Sequence, residues 1–436
     1  MTTTHAAPRA IDAAPGAPSH RRVLLASLVG TAVEFYDFYI YATAASLVLG
    51  PMFFPTISPA AQRLSSYASF AVAFFARPLG AAFFGHFGDR IGRKSTLVAS
   101  LLTMGLSTVL IGVLPGYAAI GWAAPLLLCL MRFGQGFGLG GEWGGATLLA
   151  VENAPAGFRG RFGMFPQLGA PVGFIAANGL FLLLGFLLTP DQFKAWGWRL
   201  PFIASSVLVG LGLWVRLKLT ETPAFKAALA KEPPPQAPLG EVLTRFPLAT
   251  LGGVFGVVAC FAIFYIATVF ALGYGVGTLK YSRQAFLGVE LGAILFMALG
   301  IVVAGWWADK TSPRVVLMAG CAANALAGLL LAPMMGSGSL LLIWAFLSLL
   351  LFLMGFVYGP LGAFLPSLFP TRVRYSGSSL AFNVGGILGG GLTPLIAAAL
   401  ADKGGLPPVG LYLTAASAIS LLALAPLARR AVHDVG

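Results

Sequence analysis

Two acids and two arginines stand inside stretches that are otherwise apolar. Glu34 and Asp37 interrupt one such stretch, Arg77 a second and Arg132 a third. An ionisable group at bilayer depth costs at least a few kcal/mol, so it is paired, faces a wet cavity, or both. At a rise of about 1.5 Å per helical residue, Glu34 lies roughly 18 Å along its helix from Arg22, with Asp37 about one turn further. By the same measure Arg77 is roughly 20 Å, and Arg132 roughly 16 Å, from the outer end of its helix. All four therefore converge near mid-membrane. Glu34, Asp37 and Tyr41 stand at i, i+3 and i+7 on one helix face, and Arg132, Gln135, Leu139 and Glu142 share a second stripe.

This pattern supports two chemistries. One is a static cluster of ion pairs that holds helices together. The other is a wet cavity in which burial and like-charge repulsion favour the neutral carboxyl while a nearby arginine favours the ionised one. A substrate anion that engages the arginine then frees a carboxylate to take a proton. On that reading Glu34 and Asp37 couple transport to protons, and Arg132, Gln135, Arg77 and Tyr41 bind substrate. Tyr265 and Tyr358, with Phe264 and Tyr274, are candidates to line the cavity from the second half of the chain, although aromatics at helical spacing also serve as packing. Arg132→Ala is expected to abolish binding. Glu34→Gln or Asp37→Asn is expected to spare exchange and block gradient-driven accumulation. Glu290, near an outer helix end, reads as an interfacial group.

The elements that carry these residues follow from composition. Of 436 residues 58% are apolar and 9% charged, far below the roughly 25% charged of soluble domains. Runs of about 20 apolar residues, enough to cross a hydrocarbon core about 30 Å thick, recur along the chain. The expected spans are 23–50, 64–85, 95–114, 121–149, 162–188, 199–218, 247–274, 285–307, 314–333, 339–365, 377–400 and 409–428. An even number puts both termini on one side. That side collects 19 of the 27 lysines and arginines and the other five, three lying in or at the edge of spans. The imbalance predicts cytoplasmic termini. The net charge of +13 is scattered over short loops, which argues against nucleic acid as a partner. Cys129, Cys260 and Cys321 lie in apolar runs without ligand-like spacing, so they read as small buried hydrophobes, with no metal expected.

Residues 1–21 form a polar, Ala- and Pro-rich tail expected to be disordered and cytoplasmic. Residues 220–245 form a linker broken by Lys231-Glu-Pro-Pro-Pro. It separates six-span halves at 22–219 and 246–430, and 431–436 is a short second tail. Each half has a basic loop after its second span. The first reads Gly85-His86-Phe-Gly-Asp89-Arg90-Ile-Gly92-Arg93-Lys94, and a weaker copy with Asp309 follows 220 residues later. Related halves of this kind are typical of solute transporters. In the fourth span Gly134, Gly136, Gly138, Gly140, Gly141, Gly144 and Gly145 favour close helix approach. Gly169-Ala-Pro171-Val-Gly173 would kink or thin the fifth.

Several motifs carry a family resemblance. Gly85–Lys94 resembles the loop between helices two and three of the major facilitator superfamily, and Arg132-Phe-Gly-Gln135-Gly136 its fourth-helix motif. Glu34-Phe-Tyr-Asp37, Phe75-Ala-Arg77-Pro78, Gly140-Gly-Glu142-Trp-Gly144, Trp196-Gly-Trp-Arg199, Glu221-Thr-Pro-Ala-Phe225 and Leu368-Phe-Pro-Thr-Arg372 resemble its metabolite:proton symporter family. The resemblance implies an all-α membrane protein of twelve helices in two six-helix bundles, working by alternating access in a bacterial-type inner membrane. It implies symport of a small organic acid, or of a proline- or betaine-like zwitterion, with a proton. The proton gradient supplies the energy, with no cofactor, and the chain is expected to work as a monomer. Gly85, His86, Asp89, Arg90, Gly92 and Arg93 would then form a cytoplasmic gate, with Glu142 and Asp309. Ser312 and Pro313 depart from the motif in the second copy, so the latch is expected to be asymmetric. An organic-anion exporter and a membrane sensor are the other readings. No protease, hydrolase or phosphate-loop motif is present, so no enzyme activity is expected.

Overall fold

Twenty apolar residues in lipid have one economical solution, a helix that satisfies its own backbone. A computed structural model describes residues 20–91, 93–217, 238–370 and 373–429, and the described chain is helical apart from short connections. The six long segments of the first half are α1 (His20–Leu47), α2 (Pro59–Ile91), α3 (Arg93–Val113), α4 (Ala123–Leu139, continued by Trp143–Glu152), α5 (Arg159–Leu187) and α6 (Leu200–Leu217). Those of the second half are α7 (Pro247–Gly277), α8 (Arg283–Lys310), α9 (Pro313–Gly328), α10 (Leu340–Ser367), α11 (Arg374–Gly404) and α12 (Leu406–Leu424). Each matches one expected span to within a few residues. Eight are long and apolar enough to cross a bilayer unaided. The remaining four, α1, α3, α4 and α9, are completed as spans by their place in the bundles.

The two halves repeat one packing plan. In the first, α1 packs on α5, α2 on α4, and α3 on both α4 and α6. Adding six to each label gives α7 on α11, α8 on α10, and α9 on both α10 and α12, all of which occur. The bundles meet through α5 against α8 and α2 against α11, again equivalent under the same shift. This is the signature of parallel repeats about an axis along the membrane normal. Large apolar side chains such as Trp122, Phe186, Val207 and Leu422 point outward, where lipid is their solvent. By contrast α7 is apolar all round and almost wholly buried, as a central helix must be.

Glycine sets the closest contacts. A Cβ on Gly80 would lie 1.8 Å from the Phe137 carbonyl oxygen, and one on Gly136 2.0 Å from that of Ala73. Backbone therefore meets backbone where α2 crosses α4. A Cβ on Gly169 would come within 2.1 Å of Thr31 Oγ1, so the proline–glycine stretch of α5 thins the helix against α1. It does not break it: α5 runs continuously through Pro166 and Pro171. Two other helices carry a widened π turn, α7 at Ile266–Phe270 and α11 at Ile387–Gly391. Such turns cluster at functional sites.

Residues 1–19, 218–237 and 430–436, which hold most of the expected tails and linker, lie outside the described residues. The last eight linker residues, Pro238–Arg245, form a helix. Its Val242 packs against Phe369 and Val373.

Candidate functional site

Where the bundles face each other they line a central cavity. The N-terminal bundle supplies Glu34 and Tyr39 from α1 and Arg77 from α2; the C-terminal bundle supplies Tyr265 from α7, Tyr358 from α10 and Asn383 from α11. Phenylalanine, tryptophan and methionine form most of the remaining wall. Glu34 and Arg77 are its two charged residues, each about 95% removed from solvent. The Arg77 guanidinium lies 4.4 Å from the Phe38 ring centre and 4.3 Å from that of Phe74. Those rings hold it in place, while its Nε has no hydrogen-bond partner among the described residues. The Tyr358 hydroxyl also lacks one. The cavity thus presents unspent donors beside an acid, which suits a small ligand carrying an anionic or polar group.

The expected site residues divide into two groups. Glu34, Arg77, Tyr265 and Tyr358 come together in the cavity. Arg132, Gln135 and Tyr41, expected to bind substrate, do not line it, and neither do Asp37, expected in proton coupling, and Glu142, expected at the gate. Asp37 is wholly buried and accepts a hydrogen bond from Ser205 Oγ of α6. Arg132, also wholly buried, donates to Gln135 Oε1 and, at 3.1 Å, to the Phe70 carbonyl, and its guanidinium lies 3.8 Å from the Tyr41 ring centre. Gln135 passes the network on to the Asp37 carbonyl at 3.0 Å and to Thr108 Oγ1 at 2.7 Å. Tyr41 shares a 2.6 Å hydrogen bond with Ser69. The described contacts of these residues tie helices within the N-terminal bundle, the structural alternative for the cluster. Glu142, at the break in α4, accepts from Ser100 Oγ at 2.8 Å. Glu290, expected at an interface, is 1% exposed within α8. Tyr39, Trp143 and Asn383 line the cavity without having been singled out. Nothing in their local spacing separates them from packing residues.

Contacts across the seam between bundles close the cavity at both ends. At the end bearing the termini, Asp309 of α8 accepts from the Gly160 N–H at 2.7 Å and pairs with Arg161 Nε at 2.8 Å, so it caps the start of α5. Tyr375 donates to the Gly141 carbonyl, and Asn383 Nδ2 donates to that of Gly140 at 3.1 Å. Trp143 stacks on Phe382 at 3.8 Å. At the far end Ser46 Oγ and the Tyr67 hydroxyl both donate to the Val269 carbonyl, at 3.1 and 3.3 Å, and Gln284 Nε2 donates to that of Gly185 at 2.9 Å. The remaining gate residues, Gly85, His86, Asp89, Arg90, Gly92 and Arg93, lie outside the described side chains.

The comparisons with known proteins agree with this architecture. The family model of sugar (and other) transporters matches residues 23–237. The chain is 52% identical to the inner membrane metabolite transport protein YhjE of Escherichia coli, over 93% of both chains. The chain belongs to the metabolite:proton symporter family of the major facilitator superfamily. Within that family it is 38% identical to the shikimate transporter of Escherichia coli, over 92% of this chain and 93% of that one. It is 32% identical to the proline/betaine transporter of the same organism, over 88% and 78%. A crystal structure of a D-xylose–proton symporter superimposes with a TM-score of 0.71 over 94% of this chain and 97% of that one, at 18% identity. That likeness shows the shared fold. The relatives make this family member a metabolite transporter and not an enzyme.

Proposed function

We propose that the protein is a proton-coupled symporter that imports a small carboxylate-bearing metabolite by alternating access. The observation that carries this reading is the acid–base pair Glu34 and Arg77 in one cavity, faced by Tyr265, Tyr358 and Asn383 of the other bundle. A carboxylate bound by Arg77 competes with Glu34 for the guanidinium. With the Arg77 charge spent on the substrate, protonation of Glu34 becomes more favourable in its largely apolar setting. Because the remaining contacts come from the opposite bundle, a bound substrate also draws the two bundles together. The loop-charge imbalance supports cytoplasmic termini, so the far end opens to the outside, and the membrane gradient delivers both proton and substrate from there. The chain works as a monomer, since the cavity is complete within it.

Proteoliposomes test this directly. Uptake of a carboxylate substrate should rise when the outside is acidified and collapse with a protonophore; uptake indifferent to the gradient would overturn the coupling. Glu34→Gln should keep substrate exchange while losing accumulation against a gradient. A second reading, a betaine-like zwitterion, is favoured by the aromatic walls, because ring faces attract ammonium groups. A thermal-shift screen separates the two. Stabilisation by shikimate-like acids and not by betaines supports the first; the reverse supports the second.

A further inference from the structure

A second, smaller cavity lies between the central one and the far end of the seam. It is lined by Thr43 of α1, Asn178 of α5, Thr268 and Leu272 of α7, and Glu290 of α8. Tyr39 forms part of both cavities. Its ring stacks on Phe264 at 5.1 Å and meets Phe174 edge-on at 5.5 Å. The three rings form a partition between the central chamber and the outer one.

Glu290 has no hydrogen-bond partner for Oε1 and no ion pair among the described residues. In the same lining, Asn178 Nδ2 is likewise without a partner, and its side-chain Oδ1 accepts from Thr43 Oγ1. Thr268 Oγ1 is committed to the Phe264 carbonyl at 2.7 Å. Among the described residues no cation pairs with Glu290. Tyr39 of α1 and Tyr67 of α2 are the titratable neighbours; Arg63 of α2, beyond Tyr67, is paired with Asp402 of α11, and α5 and α7 contribute neutral groups. Arg283, about 10 Å away at the start of α8, lies 3.6 Å from the centre of the Phe193 ring. An ionised carboxylate cannot be enclosed in such a place without a partner. Enclosed, Glu290 must carry a proton.

This pocket straddles the seam, with α1 and α5 from one bundle and α7 and α8 from the other. Directly beside it Val269, in the π turn of α7, receives the Ser46 and Tyr67 hydroxyls that tie the far end. These two hydroxyl bonds, the Gln284–Gly185 bond and the partly exposed Arg63–Asp402 ion pair that also cross the far end are together weak compared with the cost of enclosing an unpaired charge. We propose that Glu290 is a proton-binding site of the C-terminal bundle, and that the far end of the seam closes only over its protonated form. An ionised Glu290 holds the far end open to water, and a proton arriving from that side permits closure. The inference rests on the symport reading for its role in transport, but the gate itself can be measured without transport.

The test uses single cysteines in a variant whose native Cys129, Cys260 and Cys321 are replaced by serine. Leu272→Cys reports the outer chamber, and Ser58→Cys, on an exposed far-end loop, corrects for the reactivity of the thiol itself. With Glu290 present, the ratio of labelling at 272 to that at 58 by an impermeant maleimide should climb at least roughly fivefold between about pH 5 and about pH 9. With Glu290→Gln, an uncharged isostere, the ratio should stay low and flat. A flat ratio with Glu290 present overturns the proposal, as does an equal rise in the glutamine variant. A second measurement leaves Glu290 in place. A lipid-soluble carbodiimide, which attacks the protonated acid, should mark Glu290 in peptide mass spectra at about pH 6 and lose that mark at about pH 9; no mark at either pH overturns it. Uptake that ignored the proton gradient while the labelling followed Glu290 would sink the symport reading and leave the gate standing.

Discussion

Phe38 receives two guanidinium groups against its ring, Arg77 at 4.4 Å and Arg132 at 4.9 Å. Their partners differ. Arg132 spends its donors on Gln135 and the Phe70 carbonyl inside one bundle, whereas Arg77 keeps Nε unpaired beside the central cavity. A charge-assisted hydrogen bond contributes about 1.5–3 kcal/mol. Arg77→Gln should therefore weaken binding of a carboxylate substrate roughly 10- to 100-fold by titration calorimetry, with little change in melting temperature. Arg132→Gln should do the opposite: a markedly lower melting temperature in detergent, with affinity retained in the fraction that stays folded. If Arg132→Gln lost affinity at unchanged melting temperature, Arg132 would return to the substrate. The two acids divide in the same way. Glu34 faces the cavity and Asp37 is held by Ser205, so Asp37→Asn should cost stability more than coupling.

Among the elements, the apolar runs foretold all twelve helices, because a span is specified by length and polarity alone. Depth along each helix was also legible, since the rise per residue is constant and Glu34, Arg77 and Arg132 did prove to be buried deep in their helices. Rotation about the helix axis was not. Residues three apart differ by about 60° in direction; on α1 that angle separates a wall of the cavity from the inside of a bundle. Nor did local pattern mark Asn383 or Tyr39, whose neighbours are set by helices distant in sequence. The glycines of α2 and α4 show tolerance just as specific. Gly80→Ala should reduce the yield of inserted, folded protein because its Cβ would meet the Phe137 carbonyl at 1.8 Å, whereas Gly210→Ala meets nothing within 4 Å. Equal yields and melting temperatures for these two variants would contradict the close crossing.

Across the whole molecule, the seam carries an ion pair at each end, and at the far end Arg63 of α2 holds Asp402 of α11 at 2.5 Å. At the end bearing the termini Asp309 combines an ion pair with Arg161 and a cap on α5, where a negative charge suits the helix N-terminus. This latch comes from the weaker copy of the repeated loop, the copy in which Ser312 and Pro313 depart from the motif. Asp309 lies ahead of those changes, which instead start α9: Ser312 accepts the Val315 N–H and Pro313 occupies the first turn. Asp309→Asn should remove about 1 kcal/mol of helix-end stabilisation. Hydrogen exchange in the first turn of α5 should then speed up by roughly fivefold; unchanged exchange would show that the contact does not hold that end.

Tyr39 belongs to both chambers, and this gives the protein the plan of an airlock with one inner door. A solute cannot settle in both compartments without displacing the same ring, so passage must proceed by turns. Door size then governs throughput separately from the affinity of either room. Tyr39→Phe should preserve the door and the order of entry. Tyr39→Ala should leave it ajar, and liposomes carrying that variant should lose an imposed pH difference faster even with no substrate present.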